Sequence, residues 1–131
     1  MEMKLELILL PVADIDRAKA FYADKAGFRL DHDHTPNEHF RVVQLTSPGS
    51  GCSIGFGKGL GLSGPGSVKG SHLVVGDIHA ARADLIGRGV AVSEANEMAP
   101  GMWFAHFEDP DGNSWVLQQM GGQASQASKA S

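Results

Sequence analysis

The chain has 131 residues, 42% of them apolar and 20% charged, which is the size and composition of one compact domain with its own core. Its net charge of −4, with basic residues scattered rather than clustered, argues against a nucleic acid or an anionic membrane as partner. The single cysteine, Cys52, excludes an internal disulfide and a cysteine-rich metal site. With no signal-type leader and no apolar run of membrane-spanning length, we expect a cytoplasmic protein.

The first half of the chain predicts a strand, a helix and three more strands. The apolar run Leu5–Val12 is typical of a buried strand, and Asp14 is a good N-cap for the helix that follows. Gly27 suits the left-handed position that ends a helix. The three later strands are expected at Phe28–His34, Phe40–Thr46 and Cys52–Phe56. The glycine-rich stretch from Gly49 to Gly70 predicts a flexible crossover between the halves.

The second half of the chain predicts the same order of elements. Ser71–Val75 is typical of a strand, Asp77 caps a helix that runs to about Arg88, and Gly89 ends that helix. Three further strands are expected at Val90–Ser93, Trp103–Glu108 and Asn113–Gln119. The last two form a hairpin around Asp-Pro-Asp-Gly at 109–112, a strong turn sequence. Residues 121–131, rich in Gly, Ser, Ala and Gln, are expected to form a disordered tail.

The two halves also repeat each other in sequence. The Val-x-Asp-Ile segment that ends at Ile15 recurs in the segment that ends at Ile78, at an offset of 63 residues (78 − 15). Pro48 recurs as Pro110 at an offset of 62 residues (110 − 48). A repeated strand–helix–strands unit has to bury the second face of its sheet, and its twin is the natural partner. We therefore expect two modules, about 1–58 and 68–120, whose sheets face each other across a concavity.

Three further motifs carry a family resemblance over nearly the whole chain. They are Ala20-Phe21-Tyr22, Gly27-Phe28 and Phe107-Glu108-Asp109-Pro110-Asp111-Gly112-Asn113. Together with the two Val-x-Asp segments, they make the chain similar to the vicinal oxygen chelate superfamily, which includes glyoxalase I, bleomycin-resistance proteins and extradiol dioxygenases. The resemblance implies an α+β fold in which two βαβββ modules form an open, curved, eight-stranded mixed sheet around a pocket. It also implies a single domain over 1–120 and a homodimer.

Metal-dependent members of this superfamily hold a divalent ion with His, Glu or Gln from four strands. Counting from the Val-x-Asp and Asp-Pro-Asp-Gly motifs places these positions at Leu7, Ile54, Ser71 and Val116. None of the four is a ligand of the expected kind, so we predict no metal and no other cofactor. Two alternatives stay open. A one-residue strand shift would turn His72 towards this face, and the spacing of His32 and His34 could chelate a metal.

Alternation along the strands extends these positions to one candidate pocket face. The residues expected to bind the ligand there are Leu7, Leu9, Phe40, Val42, Gln44, Ile54, Phe56, Ser71, Leu73, Met102, Phe104, His106, Val116 and Gln118. Such a lining is mostly apolar and aromatic with a few polar groups, as small-molecule sites usually are. His106 is the candidate catalytic acid or base, and Glu108 lies on the same strand face. The competing interpretation is that these residues fill a closed core or a dimer interface.

The interpretation we favour is a metal-independent, glyoxalase/bleomycin-resistance-like protein that binds an apolar or aromatic small molecule in the sheet concavity and sequesters it. The alternative is a glyoxalase- or dioxygenase-type enzyme, namely a lyase, isomerase or oxygenase, with atypical metal ligands or with His106 as the catalytic group. A third hypothesis is a protein-interaction module whose concavity is plugged. The residues alone leave open whether the protein is an enzyme, because function depends on the site rather than on the fold.

Overall fold

The computed structural model describes residues 1–121, so the predicted tail lies outside the described residues except for Gly121. The chain forms two compact units. The first unit contains Met1–Val68 and Asp109–Asn113, and the second contains Lys69–Glu108 and the residues from Ser114 onward. No helix among residues 1–121 combines the length and the apolar character that a bilayer crossing needs.

The first unit carries a four-stranded mixed sheet and one helix. Its elements in chain order are β1 (Leu7–Leu9), α1 (Ile15–Ala20) with a π-helical continuation (Phe21–Lys25), β2 (Arg29–Asn37), β3 (Phe40–Thr46) and β4 (Ser53–Lys58). The strand order is β1-β4-β3-β2, with β1 parallel to β4 and the other neighbours antiparallel. All four predicted strands are present, although β1 is shorter than the apolar run Leu5–Val12 that predicted it.

Local sequence explains where helix α1 begins and where its continuation ends. The Asp14 carboxylate caps the helix by accepting a hydrogen bond from the backbone N–H of Arg17 at 3.0 Å. Gly27 adopts φ +78°, the left-handed conformation that releases the chain into β2. Tyr22 is fully buried, and its ring centroid lies 5.9 Å from that of Phe56 in β4. The helix therefore packs on the face of the sheet that carries Phe56.

The second unit repeats this plan. Its elements in chain order are β5 (Ser71–Val74), α2 (Ile78–Gly87), β6 (Asn96–Ala99), β7 (Met102–Glu108) and β8 (Ser114–Gln119). The strand order is β5-β8-β7-β6, and β5 is parallel to β8 whereas the other neighbours are antiparallel. The Asp77 carboxylate caps α2 by accepting hydrogen bonds from the N–H groups of His79 and Ala80 at 3.0 and 3.2 Å.

The strand predicted at Val90–Ser93 is wrong. Val90 instead completes the end of α2, because its N–H donates to the Leu85 carbonyl at 3.0 Å and its side chain is buried. The actual strand, β6, lies at Asn96–Ala99, where every residue is exposed. An exposed edge strand has no apolar alternation, so the sequence carries no signal for it.

The turn between β7 and β8, Asp109–Asn113, is part of the first unit. The buried Asp109 carboxylate accepts hydrogen bonds from the Tyr22 hydroxyl at 2.7 Å and from the Asn113 side-chain amide at 2.8 Å. The same Asn113 amide donates to the Pro11 carbonyl at 3.0 Å. The most distinctive motif of the sequence is therefore a structural element that stabilises the first unit.

The structure confirms the α+β class and the two βαβββ modules. The eight strands form two open, four-stranded mixed sheets, with β1 and β2 at the edges of one and β5 and β6 at the edges of the other. That residues 1–120 form a single domain stays a prediction.

Candidate functional site

Each sheet has one face covered by its helix and one face that the helix leaves uncovered. In the second unit, Ala105 of β7 is paired with Leu117 of β8, and both are buried. The ring of Trp103 on the same face lies 5.0 Å from the ring of His79 in α2, which identifies this as the helix side. The opposite side, which we call the second open face, carries His72, Val74, Met102, Phe104, His106, Val116 and Gln118.

Three side chains of the second open face contact one another. His72 Nδ1 lies 2.8 Å from Gln118 Oε1. The ring of His72 meets the ring of Phe104 edge-on, with centroids 6.1 Å apart and an interplanar angle of 87°. His72 is exposed, and Phe104 and Gln118 are partly exposed. An aromatic ring and an imidazole therefore lie side by side on the uncovered side of the sheet.

Two residues expected on this face, Ser71 and Leu73, lie on the other one. Ser71 is paired with Trp115 and Leu73 with Leu117, so both face the helix side. The open face carries instead the residue that follows Ser71, His72. The prediction that Ser71 and Leu73 share the face of Val116 and Gln118 is therefore wrong, because the strand is shifted by one residue and His72 lies on that face.

The backbone hydrogen bonds explain the shift. Leu10 donates to the Gly55 carbonyl in the first unit, and Val75 donates to the Gln118 carbonyl in the second. These equivalent pairs are offset by 65 (75 − 10) and 63 (118 − 55) residues. The sequence repeat predicts offsets of 64 (71 − 7) and 62 (116 − 54), so Ser71 and Ile54 each lie one residue away from the true equivalents of Leu7 and Val116. A one-residue error in a strand exchanges its two faces.

The first sheet has an equivalent uncovered side, which we call the first open face. It carries Leu7, Leu9, His32, His34, Val42, Gln44, Ser53 and Gly55, and strand alternation adds Phe40. A Cβ built on Gly55 would lie 3.2 Å from Leu7 Cδ1 and 3.3 Å from Leu9 Cδ2, so the side chains of both leucines cover the glycine. His32 and His34 face the same way because their cross-strand partners are Gln44 and Val42.

Ile54 and Phe56, expected in the pocket, are on the helix side of the first sheet. Their antiparallel partners are Leu45 and Val43, and all four residues are buried. Phe56 is fully buried beneath Tyr22. The prediction that Ile54 and Phe56 share a face with Leu7 and Leu9 is therefore wrong, because β4 is shifted by one residue in the same way.

The first open face also contains a polar cluster that the sequence analysis missed. The hydroxyls of Thr46 and Ser53 are buried and lie 2.6 Å apart, and Thr46 also donates to the Asp31 carboxylate. Hydrogen bonds from Thr46 and then Arg29 lower the pKa of the Asp31 carboxyl. These residues line a cleft of 430 Å³ together with Gln44 and others from the same unit. The only sequence signal for this cluster is a polar residue at the end of β3, Thr46, and another at the start of β4, Ser53.

His106, the candidate catalytic residue, is exposed at one end of the second open face. It lines a cleft of 510 Å³ with Ala91, Phe107, Glu108 and Ser114. Its backbone N–H donates to the Ser93 hydroxyl at 2.8 Å. Between residues 1 and 121, no hydrogen bond or ion pair orients its imidazole, so the structure adds no support for a general acid or base here.

Metal ligands are also sparse on both faces. Nowhere in the described part of the chain do three His, Cys, Asp or Glu side chains come close enough to hold a metal ion. With the strand offsets corrected, the positions that the resemblance implies for metal ligands correspond to Leu7 and Ser53 in the first unit and to His72 and Val116 in the second. The first unit therefore supplies one hydroxyl at these positions and the second unit supplies one imidazole, so neither unit holds a set of ligands for a divalent ion by itself.

Comparisons with known proteins agree with this fold. The family model of the Glyoxalase/Bleomycin resistance protein/Dioxygenase superfamily matches residues 4–117. TnmS3, an antibiotic binding protein from Streptomyces sp. CB03234, is 36% identical, with a TM-score of 0.79 over 90% of this chain and 96% of that one. A glyoxalase/bleomycin resistance protein from the same Streptomyces strain is also 36% identical, with a TM-score of 0.76 over 88% of this chain and 100% of that one.

A more distant relative is a member of the same superfamily from Sphaerobacter thermophilus DSM 20745. It is 27% identical, with a TM-score of 0.78 over 91% of this chain and 98% of that one. No curated protein matches the chain significantly. Since the family model covers most of the sequence, the chain belongs to the Glyoxalase/Bleomycin resistance protein/Dioxygenase superfamily.

Proposed function

We propose that this protein binds a small apolar or aromatic molecule of the antibiotic type on its second open face, without a metal ion, and acts by sequestering it. The observation that carries the proposal is Phe104. It is partly exposed on the uncovered side of β7, whereas its neighbour Ala105 is fully buried on the helix side. An accessible aromatic ring next to a few polar groups is the usual composition of a small-molecule site.

Two further points support this choice of function. A 36% identical relative that covers most of the chain is an antibiotic binding protein. The positions that the resemblance implies for metal ligands carry Leu7 and Ser53 in one unit and His72 and Val116 in the other, and neither pair is a ligand set for a divalent ion, which favours binding without a metal.

The proposal includes a cytoplasmic homodimer. Both sheets have open edges at β1 and β5, and the exposed apolar residues Leu5, Ile8 and Val74 lie on or beside those strands. A second copy of the chain would cover such edges and remove apolar surface from water.

The test is a screen of aromatic antibiotics by thermal shift and then by calorimetry, with the wild-type protein and two variants. Phe104→Ala should weaken binding of a hit by about 1–3 kcal/mol, the scale for losing the contacts of one large side chain. The matched control is Ile86→Ala, which removes an exposed apolar side chain from α2 on the covered side of the same sheet. Binding that Phe104→Ala leaves unchanged would contradict the proposed face.

Elemental analysis of the same purified protein tests the metal-independent part. We expect no stoichiometric transition metal after mild chelation, and ligand affinity that does not depend on added metal. About one Zn, Ni, Fe or Mn per chain that survives chelation would contradict it.

A further inference from the structure

We propose that His72 determines the specificity of the ligand site by accepting a hydrogen bond from a hydroxyl group on an aromatic ring, so that the ligand is a phenol. The inference rests on the proposed function, because it names the class of molecule that the second open face takes. His72 was expected to lie at the face only if the strand were shifted, and the structure places it beside Phe104 and Gln118.

The orientation of the Gln118 side chain follows from its two contacts. The amide nitrogen of Gln118 lies beside the Met120 sulfur, an atom that can only accept. The other terminal atom is the carbonyl oxygen, which can also only accept and lies 2.8 Å from His72 Nδ1. Nδ1 of His72 therefore carries a hydrogen and donates it to Gln118.

This hydrogen bond selects the tautomer of His72. In a neutral imidazole one ring nitrogen carries the hydrogen and the other is a bare acceptor. Because Nδ1 carries the hydrogen, Nε2 is the acceptor. In the described residues no side chain or backbone N–H donates to Nε2, and the imidazole is exposed. A ligand that displaces water from Nε2 has to bring a donor of its own to satisfy that nitrogen.

The residues beside the His72 ring indicate what should carry the donor. Phe104 lies edge-on to His72, and Val116 is the cross-strand partner of His72. These groups favour a flat apolar ring over an aliphatic polyol, because the ring gains aromatic and dispersion contacts. A hydroxyl on that ring donates to Nε2. A ketone, ether or carboxylate at the same place would bring an acceptor oxygen next to Nε2, which is also an acceptor, and would leave Nε2 without a donor.

The test uses two probes that differ in a single donor, naphthol and its methyl ether. Each is titrated into isotope-labelled protein at about pH 8 and followed by NMR, where the imidazole nitrogen shifts report the tautomer and charge directly. The wild-type protein should bind naphthol about fivefold more tightly than the ether, the worth of one net hydrogen bond. Free His72 should show the tautomer protonated on Nδ1.

The diagnostic variant is His72→Asn. An asparagine amide can take the place of Nδ1–H towards Gln118 but has no counterpart of Nε2. This variant should therefore bind naphthol and the ether equally, with affinity for the ether close to that of the wild-type protein. The matched control is His39→Asn in the β2–β3 turn of the first unit, which should keep the full preference for naphthol.

The outcomes separate the two proposals. Equal binding of naphthol and its ether to the wild-type protein, or a preference that survives in His72→Asn, would overturn the role of His72 while leaving aromatic binding intact. A tautomer protonated on Nε2 would overturn it as well. If neither probe shifts any resonance of the second open face, and no aromatic antibiotic binds either, the proposed function itself is wrong.

Discussion

The hydrogen bond between Tyr22 and Asp109 allows a quantitative test of how the first unit is stabilised. Tyr22 is 0% exposed and Asp109 is 5% exposed, and the hydroxyl donates to the carboxylate at 2.7 Å. Hydrogen bonds to charged groups contribute about 1.5–3 kcal/mol. In Tyr22→Phe the carboxylate keeps donors at 2.8–2.9 Å from Asp111 and Asn113, so it is not left unsatisfied. We therefore expect Tyr22→Phe to lower the free energy of unfolding by about 1.5 kcal/mol, the lower end of this range.

The assay is urea unfolding of a double-mutant cycle. It compares the wild-type protein with Tyr22→Phe, Asp109→Asn and the double variant, with the m-value as a check on two-state behaviour. If the hydroxyl acts through the carboxylate, the effects of the two single changes on the free energy of unfolding should be non-additive by about 1–2 kcal/mol. A loss below about 0.5 kcal/mol for Tyr22→Phe, within the range of ordinary surface substitutions, would refute the reasoning.

Three further predictions concern acid stability, catalysis and assembly. Arg41 and Lys19 donate hydrogen bonds to Asp33 and hold its pKa far below the ordinary value. A carboxyl whose folded pKa is depressed contributes stability that is lost as the pH falls through the folded value, so the urea midpoints of wild type and Asp33→Asn should converge below about pH 4. A constant difference down to about pH 2 would argue against this. His106→Ala should cost about 1 kcal/mol or less in ligand affinity; a loss of turnover of about 10²–10⁴ would instead identify an acid or base catalyst. Light scattering should give the mass of a dimer, and a monomer mass at working concentration would contradict the homodimer.

Elements with strong local signals could be predicted from the sequence. Strand β3 occupies the predicted residues, Phe40–Thr46, because Val43 and Leu45 alternate with more polar neighbours and are fully buried. The two helices begin where Asp14 and Asp77 can cap them. These signals are contained within a few residues, so no tertiary information is needed to interpret them.

The faces of β4 and β5 could not be predicted, because they depend on the lengths of the connections before and after them. A repeat offset taken from helix caps and turn prolines does not report how many residues separate the strand from the cap. Leu10 and Val75 are equivalent, yet they lie 4 (14 − 10) and 2 (77 − 75) residues before their capping Asp. Phe104, Val116 and Gln118 were placed on one face because their strands form a hairpin whose register is local. Ser71 was misplaced because no such local constraint acts on β5. Ile54 was misplaced because the β3–β4 hairpin is one residue longer than the β7–β8 hairpin: the paired residues Leu45 and Ile54 are 9 apart (54 − 45), whereas Phe107 and Trp115 are 8 apart (115 − 107).

The turn at Asp109–Asn113 has a consequence for biosynthesis. The ribosome finishes Met1–Val68 well before it makes this turn, yet the buried Tyr22 hydroxyl donates to Asp109 and the Pro11 carbonyl accepts from Asn113. The amino-terminal part of the nascent chain therefore remains incompletely hydrogen-bonded until nearly all of the carboxy-terminal part has emerged. Native packing of the first strands is thus coupled to near-completion of translation, and a fragment that stops at Val68 should emerge as a substrate for chaperones or proteases rather than as a stable half.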